Sequence, residues 1–343
     1  MSTVAILYTS PETVIEDYGK LLNLAKLDEV IDNNKSTFLK VNISWQHYYP
    51  ACSTAPWQIH GVGEKIIKDG YKEIIAAHNG TVVVDPEEGR YNNKHKLIEE
   101  KLGLKHIVLD QPPTKWVKYR PKAELLVLDK VYEDDLQIPE VLLNTNIIHL
   151  PTVKTHVFTT MTGALKNAFG GLLHRNRHWT HSVIHETLVD LLQIQKEIHS
   201  GIFAVMDGTF AGDGPGPRAM RIHTPGLILA SADQVAIDAI AAKLMGLDLK
   251  DKTSIWKDRA LVELNLAVLY SFKKAGVKII DHHSASKQFM QFMRKEEKEG
   301  RDVTADWAWI VPPISGPTME VFHTEMNDDI KSPNYFYQKD AWL

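Results

Sequence analysis

The chain has 343 residues, of which 44% are hydrophobic and 24% charged, the balance of an ordinary soluble globular protein with room for one large core. A net charge of −4 argues against a general nucleic-acid binder, although local basic groups can still hold a small anion. Cys52 is the single cysteine, which excludes an intramolecular disulfide and any iron–sulfur cluster held by this chain's own four thiolates. No stretch approaches the roughly 18 uninterrupted apolar residues of a membrane span. The N-terminal residues carry no basic leader, so a cytoplasmic protein is expected.

The predicted elements alternate. Residues 4–8 read as a strand, and Ser10-Pro11-Glu12 opens a helix running to about residue 27. A strand at 37–41 leads into a polar and aromatic loop at 42–56. A helix follows at 57–69, closed by Gly70, then a strand at 73–78 and a turn around Asn79-Gly80. Short apolar runs lie at 106–110 and 125–128, a brief helix at 139–144 and a strand at 147–150. Beyond a histidine-rich segment come a helix at 182–198, a strand at 202–206, and a glycine- and proline-rich loop at 209–224. A strand at 226–230 and a helix at 233–245 close the pattern. Such alternation predicts an α/β fold, a mostly parallel sheet flanked by helices. The core is expected over residues 1–250. Residues 251–343 are expected to form a helical and irregular, aromatic-rich C-terminal extension packed on it, with Trp307, Trp309, Phe322, Tyr335 and Trp342. That tail either covers the core or meets a partner, a second copy or another protein.

Chemistry concentrates between His149 and His185, where six of the sixteen histidines fall, beyond the end of a predicted strand. Ligand sites of open α/β sheets lie there. His174, His178, His181 and His185 are spaced four, three and four apart, one face of a helix, and suit a divalent transition metal. A solvated basic loop is the alternative. Lys154 and His156 alternate along an extended segment, while Thr162 and Gly163 precede a helix bearing Lys166. Lysines beside a helix N-terminus make an anion site. Arg175 and Arg177 add charge, and Lys40 and Asn42 reach the same rim from the strand at 37–41. Asp207 ends a predicted strand and Asp213 follows among glycines. Either can orient a histidine or act as a base, and a purely structural turn is the alternative.

Lys40-Val41-Asn42, Leu150-Pro151-Thr152-Val153-Lys154-Thr155-His156, Thr162-Gly163-Ala164-Leu165-Lys166-Asn167, Asp207-Gly208 with its Gly-Pro-Gly loop, and Asp233-Gln234-Val235-Ala236-Ile237-Asp238 together resemble the uncharacterised family catalogued as domain of unknown function 362. The resemblance spans roughly residues 4–250. Many members of that family carry ferredoxin-like cysteine clusters, which implies redox roles. This chain lacks them, so the resemblance implies electrons from a separate partner or cofactor. The order His156, Gly163, Lys166 is also similar to lactate-racemase-type enzymes, whose lysine carries a nickel-pincer nucleotide, with Ala164 here in place of a second glycine.

The expectation is a metal-assisted redox or isomerase enzyme acting on a small anionic organic molecule. His156, Lys166 and Asp207 would be catalytic. Lys40, Asn42, Lys154, Thr162, Gly163, Arg175, Arg177 and Asp213 would hold the anion or a phosphorylated organic cofactor. The four histidines would hold the metal. A non-catalytic ligand-binding or assembly protein is the alternative.

Overall fold

The computed structural model describes residues 2–247 except 81–83, 134, 157, 174, 175, 215 and 219. The expected extension at 251–343 lies outside the described residues, as do His174 and Arg175. In chain order the elements are β1 (Ala5–Tyr8), α1 (Val14–Leu24), β2 (Thr37–Val41), α2 (Pro56–Lys68), β3 (Ile74–His78), α3 (Pro86–Asn92), α4 (His95–Leu102), β4 (Lys105–Val108), β5 (Trp116–Lys118), α5 (Leu128–Tyr132) and β6 (Gln137–Pro139). Then come β7 (Thr145–Leu150), β8 (Thr152–His156), β9 (Thr160–Met161), α6 (Gly163–Leu172), α7 (Ile184–Ile198), β10 (His199–Asp213), β11 (Arg221–His223), β12 (Leu227–Ser231) and α8 (Gln234–Leu244).

The fold is α/β, with a mostly parallel sheet between helices. Strands β4, β3, β2, β7 and β10 lie side by side and parallel. β12 joins antiparallel to β10, and β1 antiparallel to β12. β2, β7 and β12 are buried along their whole length, as expected of strands covered on both faces. Side-chain alternation sorts them. Leu39, Val41, Ile148, Leu150, Phe203 and Val205 pack with Tyr18 and Leu21 of α1 and Ile59, Val62 and Ile66 of α2. Phe38 and Ile147 point the other way, against α5, α6 and α7 through Leu128, Phe169, Leu191 and Ile194. Each such fully buried aliphatic side chain contributes roughly 1.5–3 kcal/mol. A Cβ on Gly61 would lie 2.8 Å from the Tyr18 Cβ, so the close approach of α1 to α2 requires glycine there.

Several local expectations change. The predicted strand at 202–206 is the middle of β10, which runs fifteen residues and passes the rim of the sheet to pair with β8 and β11. The brief helix expected at 139–144 is a single 3₁₀ turn, Glu140–Leu142. α3 and α4, absent from the sequence reading, fill the β3–β4 crossover. Their signal was present: Asp85 caps α3 by accepting from Glu88 N at 2.7 Å, with Pro86 in the first turn. Among the described residues no helix is long and apolar enough to cross a membrane.

Three histidines are sealed into this framework. His149 Nε2 donates to Gln195 Oε1 at 2.7 Å, and burial pushes its imidazole down to about 3. Burial likewise holds His199 to about 3 and His95 to about 4. All three stay neutral in the native state, while in the unfolded chain they take up protons below about pH 6.5. Their contribution to stability is therefore complete above that pH and is lost as pH falls toward their folded values. Denaturant midpoints should fall between about pH 6.5 and about pH 4. The slope should be shallower in His149→Gln, and equal slopes would remove His149 from the account.

Candidate functional site

The carboxyl rim of the parallel strands gathers cations on the α6 side of the sheet. Lys40 near the end of β2 and His149 near the end of β7 are cross-strand neighbours on that face. α6 is fastened over them by Asn167, whose side chain donates to Lys40 O at 2.8 Å and reaches His149 Nδ1 at 3.4 Å. Lys40 Nζ donates to Val41 O at 2.8 Å. From β8 comes Lys154, wholly buried, donating to Cys52 O and to Ser44 Oγ at 3.0 Å. Asn42 and Thr54 shape the loop that presents those acceptors: Asn42 N donates to Thr54 Oγ1, which donates to Leu150 O at 2.6 Å. Arg218, from the loop before β11, donates to Ser44 O at 3.0 Å and lies over the Trp45 ring. Arg177 donates to Gly80 O and lies 3.7 Å from Asp110, and Lys166 of α6 stands over Phe169.

These cations feel one another. Burial, then Lys154, Arg177 and Lys40, pull Lys166 down to about 7. Burial and Arg177 bring Lys40 to about 7 against the opposing pull of Asp110. Burial brings Lys154 to about 8, with Cys52 pulling upward and Arg218 downward. Among the described residues no carboxylate forms an ion pair with Lys40, Lys154 or Lys166. Removing ammonium groups from water without counter-charges is costly.

His156 belongs to the same cluster. Its Nδ1 accepts from Phe158 N at 3.1 Å, and burial followed by Lys166, His181 and Lys154 drives it well below the usual imidazole range. It is therefore neutral beside the lysines. Of the two, Lys166 is the group brought near neutrality.

Asp207 is not with them. It has the parity of Phe203 and Val205, so it faces α1 and α2. There it accepts from Tyr18 Oη at 2.5 Å, Trp57 Nε1 at 2.9 Å and Thr209 Oγ1 at 2.8 Å. Burial raises its carboxyl, and the hydrogen bonds oppose that. Asp207 thus ties α1 and α2 to β10, and the sheet separates it from His156 and Lys166. Asp213 lies in the β10–β11 hairpin, paired through both oxygens with Arg221 at 3.0 Å.

The helix start at Thr162 and Gly163 is already engaged. Ala164 N and Leu165 N donate to Asp238 of α8 at 2.6 and 3.0 Å. Gly163 sits at φ +66°, where a Cβ would lie 2.4 Å from the Asp238 carboxylate. An internal carboxylate thus takes the backbone donors that the sequence suggested for a ligand.

The histidine ladder does not assemble as spaced. Residues Arg177–Val183 form a 3₁₀ helix, and only His185 belongs to α7, where it is exposed. His181 Nδ1 donates to His178 O at 3.0 Å, with its ring against Phe158 and Phe169. Among the described residues, His178, His181 and His185 do not bring three ligand atoms together. A grouping that does was missed from sequence: His78, Glu87 and His106.

The sequence pattern of the family described as "Domain of unknown function (DUF362)" matches residues 37–243, well over half of the chain and nearly all of the sheet that builds this rim. The chain belongs to that family. A second pattern, "Nitric oxide synthase, oxygenase domain", matches residues 229–343, overlapping the first through β12 and α8. Similar proteins include the inducible nitric oxide synthase of Sus scrofa, 52% identical over 98 residues, which are 29% of this chain and 8% of that protein. The inducible enzyme of Gallus gallus is 51% identical over 98 residues, 29% of this chain and 9% of that protein. Nitric oxide synthase 3 of Sus scrofa is 50% identical over 101 residues, 29% of this chain and 8% of that protein. The chain thus spans less than a tenth of the length of these relatives. No solved structure matches it.

Asp238→Ala would leave two buried backbone donors of α6 unpaired. It should cost about 1–3 kcal/mol in urea unfolding. A change within error would mean that water caps α6 equally well.

Proposed function

We propose that this protein binds a small organic anion, a carboxylate or phosphate, at the cation cluster and acts on it as an enzyme of redox or isomerase type. The single observation that carries the reading is the burial of Lys40, Lys154 and Arg177 beside partly buried Lys166, with Asp110 the one carboxylate that ion-pairs with the group among the described residues. A bound anion supplies the missing negative charge. It strengthens its own hydrogen bonds in a site of low local dielectric.

Lys166 and His156 are the residues we assign to proton transfer. Lys166, held to about 7, is poised between its two forms at neutral pH. His156, neutral and adjacent, accepts a proton once a bound anion offsets the surrounding cations. Lys40, Lys154 and Arg177 orient the ligand. Redox chemistry is favoured by the match of residues 229–343 to an oxygenase domain. That match covers a third of this chain and under a tenth of the synthases, so nitric oxide synthesis is not part of the proposal. A phosphorylated organic cofactor would occupy the same cations. A non-catalytic binding protein would use the same pocket without turnover, and docking of a partner through the aromatic tail would accompany that role.

Calorimetry with inorganic phosphate and with small carboxylates tests the binding. Lys166→Met should weaken the tightest of them about tenfold, the value of one charge-assisted hydrogen bond. Because binding requires charged lysines, affinity should fall between about pH 6 and about pH 9, with proton uptake on binding near neutrality. Affinity independent of both pH and Lys166 would withdraw the assignment.

A further inference from the structure

On the opposite face of the sheet, three side chains from the β3–β4 crossover meet. His78 ends β3, and its parity with Ile74 turns it toward α2, α3 and α4. His106 of β4 pairs with Ala76 and so lies on that same face, diagonal to His78. Glu87 stands in the first turn of α3 above them. His78 Nδ1 and His106 Nε2 are 3.3 Å apart. Glu87 Oε1 is 3.7 Å from His106 Nε2 and 3.9 Å from His78 Nε2. One ligand atom from each residue can be chosen so that all three lie within 4.8 Å.

We infer that His78, His106 and Glu87 form a binding site for one divalent transition-metal ion of the zinc class. Tetrahedral bonds of about 2.0–2.1 Å separate their donors by roughly 3.3–3.4 Å. With His78 Nε2, His106 Nε2 and Glu87 Oε1 as the ligand atoms, the two Glu87 distances of 3.9 and 3.7 Å lie a few tenths of an ångström outside that spacing, which half-exposed Glu87 can close. His78 is fully buried, yet its Nε2 has no hydrogen-bond partner. The histidine–histidine contact runs to His78 Nδ1 and leaves Nε2 unsatisfied, whereas a metal ligated through Nε2 engages that buried nitrogen. Burial also keeps both rings neutral, the form that binds a metal, with His106 near 4. Lys40 and Arg90 are adverse charges near His78. Arg90 is held by the buried carboxylate of Glu99 and by the other oxygen of Glu87, at 3.2 Å, leaving Glu87 Oε1 for the histidines.

Two imidazoles and one carboxylate match zinc, iron or nickel rather than calcium or magnesium. Three protein ligands leave a coordination position to water or to a ligand, the arrangement of reactive rather than purely structural sites. None of the three ligands belongs to the cation cluster, so metal binding here is tested separately from anion binding there.

The full chain, stripped with a chelator and dialysed, should bind Zn²⁺ in calorimetry and develop visible absorption with Co²⁺. Glu87→Gln, at a half-exposed position that leaves the core intact, should weaken Zn²⁺ binding by about tenfold or more. His106→Ala should remove one bound ion per chain while retaining the far-ultraviolet circular dichroism of the parent. The His178→Ala, His181→Ala double variant should keep the ion. Absence of Zn²⁺ binding by the parent would overturn the inference. So would affinity unchanged in both Glu87→Gln and His106→Ala, or loss of the ion only in the His178, His181 variant.

Discussion

A buried carboxylate at the start of α6 fixes the position on which the cation cluster depends. Asp238 accepts the first free amides of α6 and thereby joins that helix to α8. Its burial raises the carboxyl to about 7, while the two amides and the helix dipole favour the charged form. With its N-terminus anchored, α6 lays Asn167 on Lys40 and carries Lys166 over the strand ends. Glycine at 163 is the steric condition for this contact. A larger residue would have to displace the carboxylate itself.

Like charges collected away from water are unfavourable in the folded state, and the fold meets that cost through its helices and sheet. Lys40, Lys154 and Lys166 each titrate far below an ordinary lysine because neighbouring positive groups add to burial. Native proteins tolerate such local instability at sites of function. Their low values also give the protein amines that exchange protons near neutral pH, which ordinary surface lysines do not.

The two faces of the sheet carry different polar groups, and alternation of side chains along each strand draws the boundary. Lys40 and His149 face α6, whereas His78, His106 and Asp207 face α1 to α4. A shift of one residue in the pairing would exchange these sets. Asp207 illustrates the rule: a carboxylate near the expected rim became a structural anchor for Tyr18 and Trp57 because its parity matches Val205 and not Met206.

The sequence by itself determined the alternating elements, the buried parallel strands and the edge of the sheet where polar residues collect. Apolar period and capping residues are local signals, and α/β connectivity then places strand ends together. The placement of Lys154, His156 and Lys166 near one another at the strand ends was legible for that reason. The tertiary structure decided which rim residues share a face, that Asp238 caps α6, and that Arg218 joins the lysines. It also decided that residues 177–183 coil as a 3₁₀ helix, so the histidine spacing loses its α-helical meaning. Each of these depends on partners far apart in sequence: 74 residues separate Asp238 from Ala164, and 28 separate His78 from His106. Spacing along the chain carries no record of such contacts, because they arise only when strand register and helix packing bring the groups together in space.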